Sequence, residues 1–119
     1  MKRKILLIDD DKELSEELSD LLVSEGYLVQ AAFDGFEGKQ LIKKNVYDII
    51  LLDIKMPILD GVDLLKIIKN ITFKAKIILI SGKPSLEKEI NKQGLLPMIS
   101  GFVSKPFDIQ RLLNTIKLA

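Results

Sequence analysis

Three acids stand in a row at Asp9, Asp10 and Asp11. A fourth closes an apolar run at Asp53, and a hydroxyl at Ser81 and an ammonium at Lys105 close two later runs. The chain has no His and no Cys, so these acids belong neither to a histidine–cysteine metal site nor to a serine–histidine nucleophile system. Clustered carboxylates on their own suit a hard, oxygen-seeking divalent cation such as Mg²⁺. Without one, their mutual repulsion raises some of their pKa values. A carboxylate kept ionised beside a cation can attack a phosphoryl group and form an acyl phosphate. A serine hydroxyl can donate to a phosphoryl oxygen, and a lysine supplies a compact positive charge. Phosphoryl transfer asks above all for positioning and charge neutralisation, and these residue types supply both.

Such chemistry needs the six residues brought together, and the pattern of the chain shows how. Apolar runs recur at 4–9 (KILLID), 27–32 (YLVQAA), 48–53 (DIILLD), 76–81 (KIILIS) and 99–105 (ISGFVSK). The first, third and fourth are near-continuous Ile and Leu, as in parallel strands covered on both faces. The second is more mixed and reads as an edge strand. Helical spacing fills the gaps. Leu14, Leu18, Leu21 and Leu22 precede a stop at Gly26, and a weaker helix covers 35–45 with Phe36, Leu41 and Ile42. Leu64, Ile67 and Ile68 share a face over 62–70, Pro84-Ser85 opens a helix over 86–93 closed by Gly94, and Asp108 caps 109–117. In that last helix Ile109, Leu112, Leu113 and Ile116 are expected to face inward. Strand–helix alternation repeated five times predicts an α/β, doubly wound parallel sheet with right-handed crossovers. Ligands of such sheets sit beyond the carboxyl ends of the strands, where Asp9, Asp10, Asp53, Ser81 and Lys105 all fall.

Taken singly, each residue has a plainer use. Asp11, or Asp10 with Glu13, would cap the first helix. Asp53 would be a helix or turn cap after its strand, as would the turn pair Asp60-Gly61, with Ser81 a turn residue and Lys105 a solvated charge. Three adjacent acids exceed what one cap needs, and the fold puts every one of these residues on a single rim.

Composition narrows the classes. The 119 residues suit a single domain over 1–119, with 47% hydrophobic and 29% charged residues, a soluble globular balance. Eighteen basic against seventeen acidic residues give a net charge of +1, which offers no footprint for direct nucleic-acid contact. No stretch approaches a membrane span, and the Cys-free chain suits a reducing cytoplasm.

The motifs LIDDD, LLDIKMPILDG, LIS and GFVSKPF, in this order, resemble the receiver domains of two-component response regulators. The likeness runs from about residue 4 to residue 117. It implies a flavodoxin-like (βα)5 sandwich with strand order 2-1-3-4-5, and it assigns roles. Asp53 is then the phosphoacceptor. Asp9, Asp10 and the Lys55 carbonyl, with Asp53, hold Mg²⁺. Ser81 turns toward the phosphate, Lys105 contacts it, Lys105-Pro106 is a cis peptide, and Phe102 is an aromatic switch. The phosphoryl donor would be a phosphohistidine on a sensor histidine kinase or phosphotransfer protein. The domain would catalyse its own aspartyl phosphorylation and dephosphorylation rather than act as an enzyme on other substrates. A homodimer or output partner would use the 86–117 face. The sequence departs from the family at Gly82, at the switch position, where Phe102 lacks a hydroxyl, and at GLLPMIS, which replaces a shorter turn.

Two other classes compete. LIDDDKE also resembles the opening motif of haloacid-dehalogenase phosphatases, with Asp9 as nucleophile and Asp11 as acid. Only Asp108 follows the lysine where that family needs an acidic pair. A receiver-like binding module without phosphorylation would not need the full acidic set with Ser81 and Lys105. A dinucleotide-binding domain fails because IDDDKE stands where its glycine-rich turn belongs.

Overall fold

The branched apolar runs pair into one sheet of β1 (Lys4–Ile8), β2 (Leu28–Ala32), β3 (Ile49–Asp53), β4 (Lys76–Ser81) and β5 (Ile99–Ser104). Its order is β2-β1-β3-β4-β5, with every pairing parallel, as expected. The structure, a computed structural model, describes residues 2–53, 58–71, 74–81, 86–105 and 108–119. All five residues of β3 are buried, whereas β2 is largely half-buried, the contrast between a central and an edge strand.

Alternation along the strands sorts side chains to two faces. Ile5, Leu7, Ile49, Leu51, Ile78 and Ile80 meet Leu18 and Leu22 of α1 (Lys12–Ser24) and Leu112, Leu113 and Ile116 of α5 (Ile109–Leu118). Leu6, Ile8, Ile50, Leu52, Ile77 and Leu79 meet Ile42 of α2 (Gly35–Lys44), Leu64, Leu65 and Ile68 of α3 (Ile58–Ile71) and Ile90 of α4 (Leu86–Lys92). The sheet is therefore wound on both sides, and its strand ends are left open at one rim.

Helix ends follow the sequence signals closely. Asp11, Asp34 and Asp108 are N-caps whose carboxylates accept from Leu14 N, Glu37 N and Arg111 N. Gly26 and Gly94 take positive φ, +98° and +70°, the left-handed turn that ends a helix most readily at glycine. A long-range tether joins the last helix to the first strand. The Arg3 guanidinium donates to the carbonyls of Ile116 at 3.1 Å and Ala119 at 3.3 Å.

Four expectations are corrected. Asp60-Gly61 is not a turn, since α3 begins at Ile58 and carries both within its helical backbone. Ile109 does not face inward and is 42% exposed, because it lies in the first turn of α5, whose apolar stripe begins at Leu112. Phe36, at the start of α2, is likewise 72% exposed. The GLLPMIS stretch is not simply a longer turn but winds a 3-10 turn over Leu96–Met98 with Pro97 inside it. The pairing of β4 with β5 then slips by one residue, from Ile77↔Ile99 to Ile78↔Gly101, leaving Ser100 as a bulge.

The bulge sets Gly101 beneath α5. A Cβ at Gly101 would come within 2.7 Å of Thr115 Cγ2. Thr115 cannot turn aside without releasing its hydroxyl from Arg111 O, to which it donates at 2.9 Å. Gly101→Ala is therefore expected to cost about 1–3 kcal/mol, as overpacking does. Adding Thr115→Ser, which removes the clashing methyl, should restore most of the loss. Urea midpoints of the single and double variants check this.

Candidate functional site

The rim follows from the register of the strands. Ile8 pairs with Leu52, so the next residues, Asp9 and Asp53, emerge side by side from β1 and β3. Asp53 pairs with Ile80, and Ser81 with Ser104, which places Ser81 and then Lys105 next along the same rim. Asp9, Asp53 and Ser81 are only 2%, 4% and 7% exposed. Carboxylates are almost never so buried without a purpose or a partner.

The partner is Lys105. Its ammonium Nζ donates to Asp53 Oδ2 at 2.5 Å. The backbone N–H of Lys105 donates to Ser81 O at 2.8 Å, so the segment that carries the ammonium is fixed to the end of β4. Asp9 is held from its own loop, its Oδ1 accepting from Asp11 N at 2.9 Å and its N–H donating to Ala32 O at 3.0 Å. This Asx-type turn gives Asp11 a positioning role through its backbone, which reading side-chain types alone did not find. Asp10, the next residue, is exposed.

The charges press on one another. Burial raises the pKa of Asp53 from 3.8 to about 6. The hydrogen bond from Lys105 pulls it down, while Asp9 pushes it up through both hydrogen bonding and charge. Two buried carboxylates and one ammonium leave excess negative charge at this spot. The donor set is all oxygen, which suits Mg²⁺, and a cation here would relieve that repulsion. Among the described residues no three such side chains close on a common point. The remaining donor expected, the Lys55 carbonyl, lies outside the described residues, as do Met56-Pro57, Gly82, Pro84-Ser85 and the peptide bond between Lys105 and Pro106.

Of the residues singled out from the sequence, Asp9, Asp53, Ser81 and Lys105 are brought together, with Asp10 beside them. Phe102 lies two residues before Ser104 on β5, paired with Leu79 and half-buried against the cluster on the α3 and α4 side.

Comparison with known proteins decides the family. The model of the response regulator receiver domain matches residues 5–117. The chain belongs to the response regulator receiver domain family. A receiver domain protein of the CheY-like type from Methanospirillum hungatei superposes with a TM-score of 0.87 at 29% identity, over 98% of this chain and 92% of that one. The response regulator protein TrrA of Thermotoga maritima, solved in complex with Mg(2+)-BeF, superposes with a TM-score of 0.81 at 29% identity, over 98% and 97% of the two chains. The transcriptional regulatory protein DltR of Streptococcus agalactiae is 33% identical over 115 residues, 97% of this chain. The receiver domain described here spans about half the length of that relative, 50%. It is a signalling domain of the two-component type. Among the described residues no helix is long and apolar enough to cross a membrane.

Proposed function

We propose that residues 1–119 form one phosphoacceptor unit in which Asp53 takes a phosphoryl group from a phosphohistidine on a sensor histidine kinase or phosphotransfer protein. The observation that carries this reading is the Lys105 ammonium on Asp53 Oδ2, with Asp9 held alongside, at adjacent strand ends of a receiver domain. The donor histidine lies outside these 119 residues, which contain none. An oxygen of Asp53 attacks phosphorus, and the bond to the partner's imidazole nitrogen breaks as the new O–P bond forms. Lys105 can pass from the carboxylate to a phosphoryl oxygen with a small movement, and the Ser81 hydroxyl lies one strand away to donate to another. Asp9, Asp10, Asp53 and the Lys55 carbonyl would hold Mg²⁺, which supplies charge neutralisation for the phosphoryl oxygens when bound. The same groups would serve a later, separate step, hydrolysis of the acyl phosphate, in which water attacks phosphorus and the Asp53 carboxylate leaves, so the domain would set its own dephosphorylation.

The signal would be read on the α4, β5 and α5 face. Ser81, drawn to the phosphate, would free space for Phe102 to turn further inward, and a homodimer or output partner would sense the change over 86–117. Because Phe102 has no hydroxyl, its inward state would be held by packing alone. A cytoplasmic location follows from the proposed donor.

Acetyl phosphate with and without Mg²⁺ tests the reading by intact mass. One phosphate adduct that depends on Mg²⁺ is expected, and an unmodified chain under both conditions would refute it. The metal assignment makes its own prediction. Asp10→Ala should weaken Mg²⁺ binding at least about tenfold, as the loss of one carboxylate from a site that keeps several waters implies. A Mg²⁺ titration followed by amide shifts measures this, and a curve equal to the native one would contradict it.

A further inference from the structure

At the end of the sheet opposite the phosphoacceptor rim lies a cavity of about 400 Å³. Its walls come from the end of α3 (Lys69), the start of β4 (Ala75, Lys76, Ile77), the turn after α4 (Gly94, Leu95) and the 3-10 turn and bulge (Pro97, Met98, Ser100). Small-molecule sites fall between about 300 and 1,000 Å³ and combine an apolar lining with a few placed polar groups. This cavity has both. Ala75, Ile77, Leu95, Pro97 and Met98 supply the apolar lining, and two lysines stand at its walls. Lys69 and Lys76 make no ion pair among the described residues.

The stretch that leads from α3 into β4 is basic. From Leu64 to Ile80 the chain carries Lys66, Lys69, Lys74 and Lys76 and no acid, although the whole chain is nearly neutral. Asp48, whose carbonyl accepts from Lys76 N at 2.9 Å, turns its carboxylate toward β1, where it accepts from Lys4 N at 2.7 Å. It therefore already has a backbone donor of its own. Such a local field favours an anion. A concave space bounded by four segments favours a compact ligand over the extended contact a protein partner makes.

We infer that this cavity binds a small amphipathic anion, a carboxylate with a short apolar body, whose carboxylate meets Lys69 and Lys76 while its apolar part lies against Ile77, Leu95 and Met98. The site is separate from the phosphoryl chemistry and does not depend on it. A ligand there touches the 3-10 turn and bulge that lead into β5, so binding would tighten the very segment by which α4 is joined to the sheet.

Titration of the isotope-labelled chain with octanoate, and separately with 1-octanol, tests this by amide shifts. Octanoate should give saturable shifts at Lys76, Ile77, Leu95 and Met98, and octanol weaker ones at the same residues. The double variant Lys69→Ala/Lys76→Ala should bind octanoate roughly three- to tenfold more weakly, as the loss of two solvent-facing ion pairs allows, with octanol unaffected. Ala75→Leu, which fills the cavity, should abolish both. Octanoate binding that the double lysine variant leaves unchanged, or shifts scattered over lysines elsewhere, would overturn the inference. So would an acidic, leucine-bearing peptide that shifts these amides when octanoate does not, which would mark the site as a protein contact.

Discussion

Asp53→Asn, treated with acetyl phosphate and Mg²⁺, is expected to remain wholly at its unmodified mass. The amide keeps the shape of the carboxylate but has no anionic oxygen to attack phosphorus. No neighbour can take over, because Asp9 is buried with one oxygen committed to Asp11 N and Asp10 lacks the ammonium that Lys105 gives Asp53. An adduct as large as that of the native chain would transfer the role to another acid. The same variant reports on the charge of the site. In the native chain without divalent cations Asp53 holds its proton to about pH 6, against an ordinary 3.8. The folded state therefore binds that proton more tightly than the unfolded state. Its contribution to stability is present below about pH 4 and is lost as pH rises through about 6. In EDTA, urea midpoints of the native chain should fall across that window, and those of Asp53→Asn should fall less.

Lys105→Ala removes the cation from the same carboxylate. Breaking a buried pair from one side costs about 3–5 kcal/mol when the remaining charge cannot escape. Here Asp53 can escape by keeping its proton to still higher pH, so the loss should be smaller and should grow as pH rises. Phosphorylation should persist but slow on the order of 100-fold, as loss of one preorganised charge does at other sites. The larger effect should fall on the response. The backbone of Lys105 is bonded to the end of β4 and its side chain to the end of β3, so the residue links two strand ends to β5. Addition of beryllofluoride should shift amides widely across 86–117 in the native chain and only near the rim in the variant. Equally wide shifts in both would remove Lys105 from the relay.

The sheet and most of the rim were legible in the sequence for a physical reason. Central parallel strands bury both faces, so β1, β3 and β4 cannot avoid runs of Ile and Leu, and any polar residue that interrupts such a run marks its end. That is why Asp9, Asp53, Ser81 and Lys105 could be placed together before any geometry was known. The start of α3 was not legible, because Asp-Gly is a turn pair locally, while Leu64, Leu65 and Ile68 bury into the sheet and hold the helix despite its glycine. Packing of an apolar face outweighs propensity in this way. The bulge at Ser100 left no signal either, since a single extra residue has no residue type of its own. The Asp9–Asp11 turn was hidden because its donor is a backbone N–H, which every residue but proline carries.

The Arg3 tether has a consequence for the order of events in folding. Its two hydrogen bonds close a span of 113 and 116 residues, and they need β1 set in the sheet and α5 wound and docked before they can form. Contacts of such separation come after the nucleus has assembled. A tether that forms only once α5 has docked is expected to be absent from the transition state, so its worth should fall on the unfolding rate. Arg3→Ala should leave refolding after dilution from urea almost unchanged while unfolding accelerates roughly tenfold, as two hydrogen bonds of about 0.5–1.5 kcal/mol each imply. The domain would thus owe part of its lifetime, though none of its speed of assembly, to a single guanidinium at its first strand.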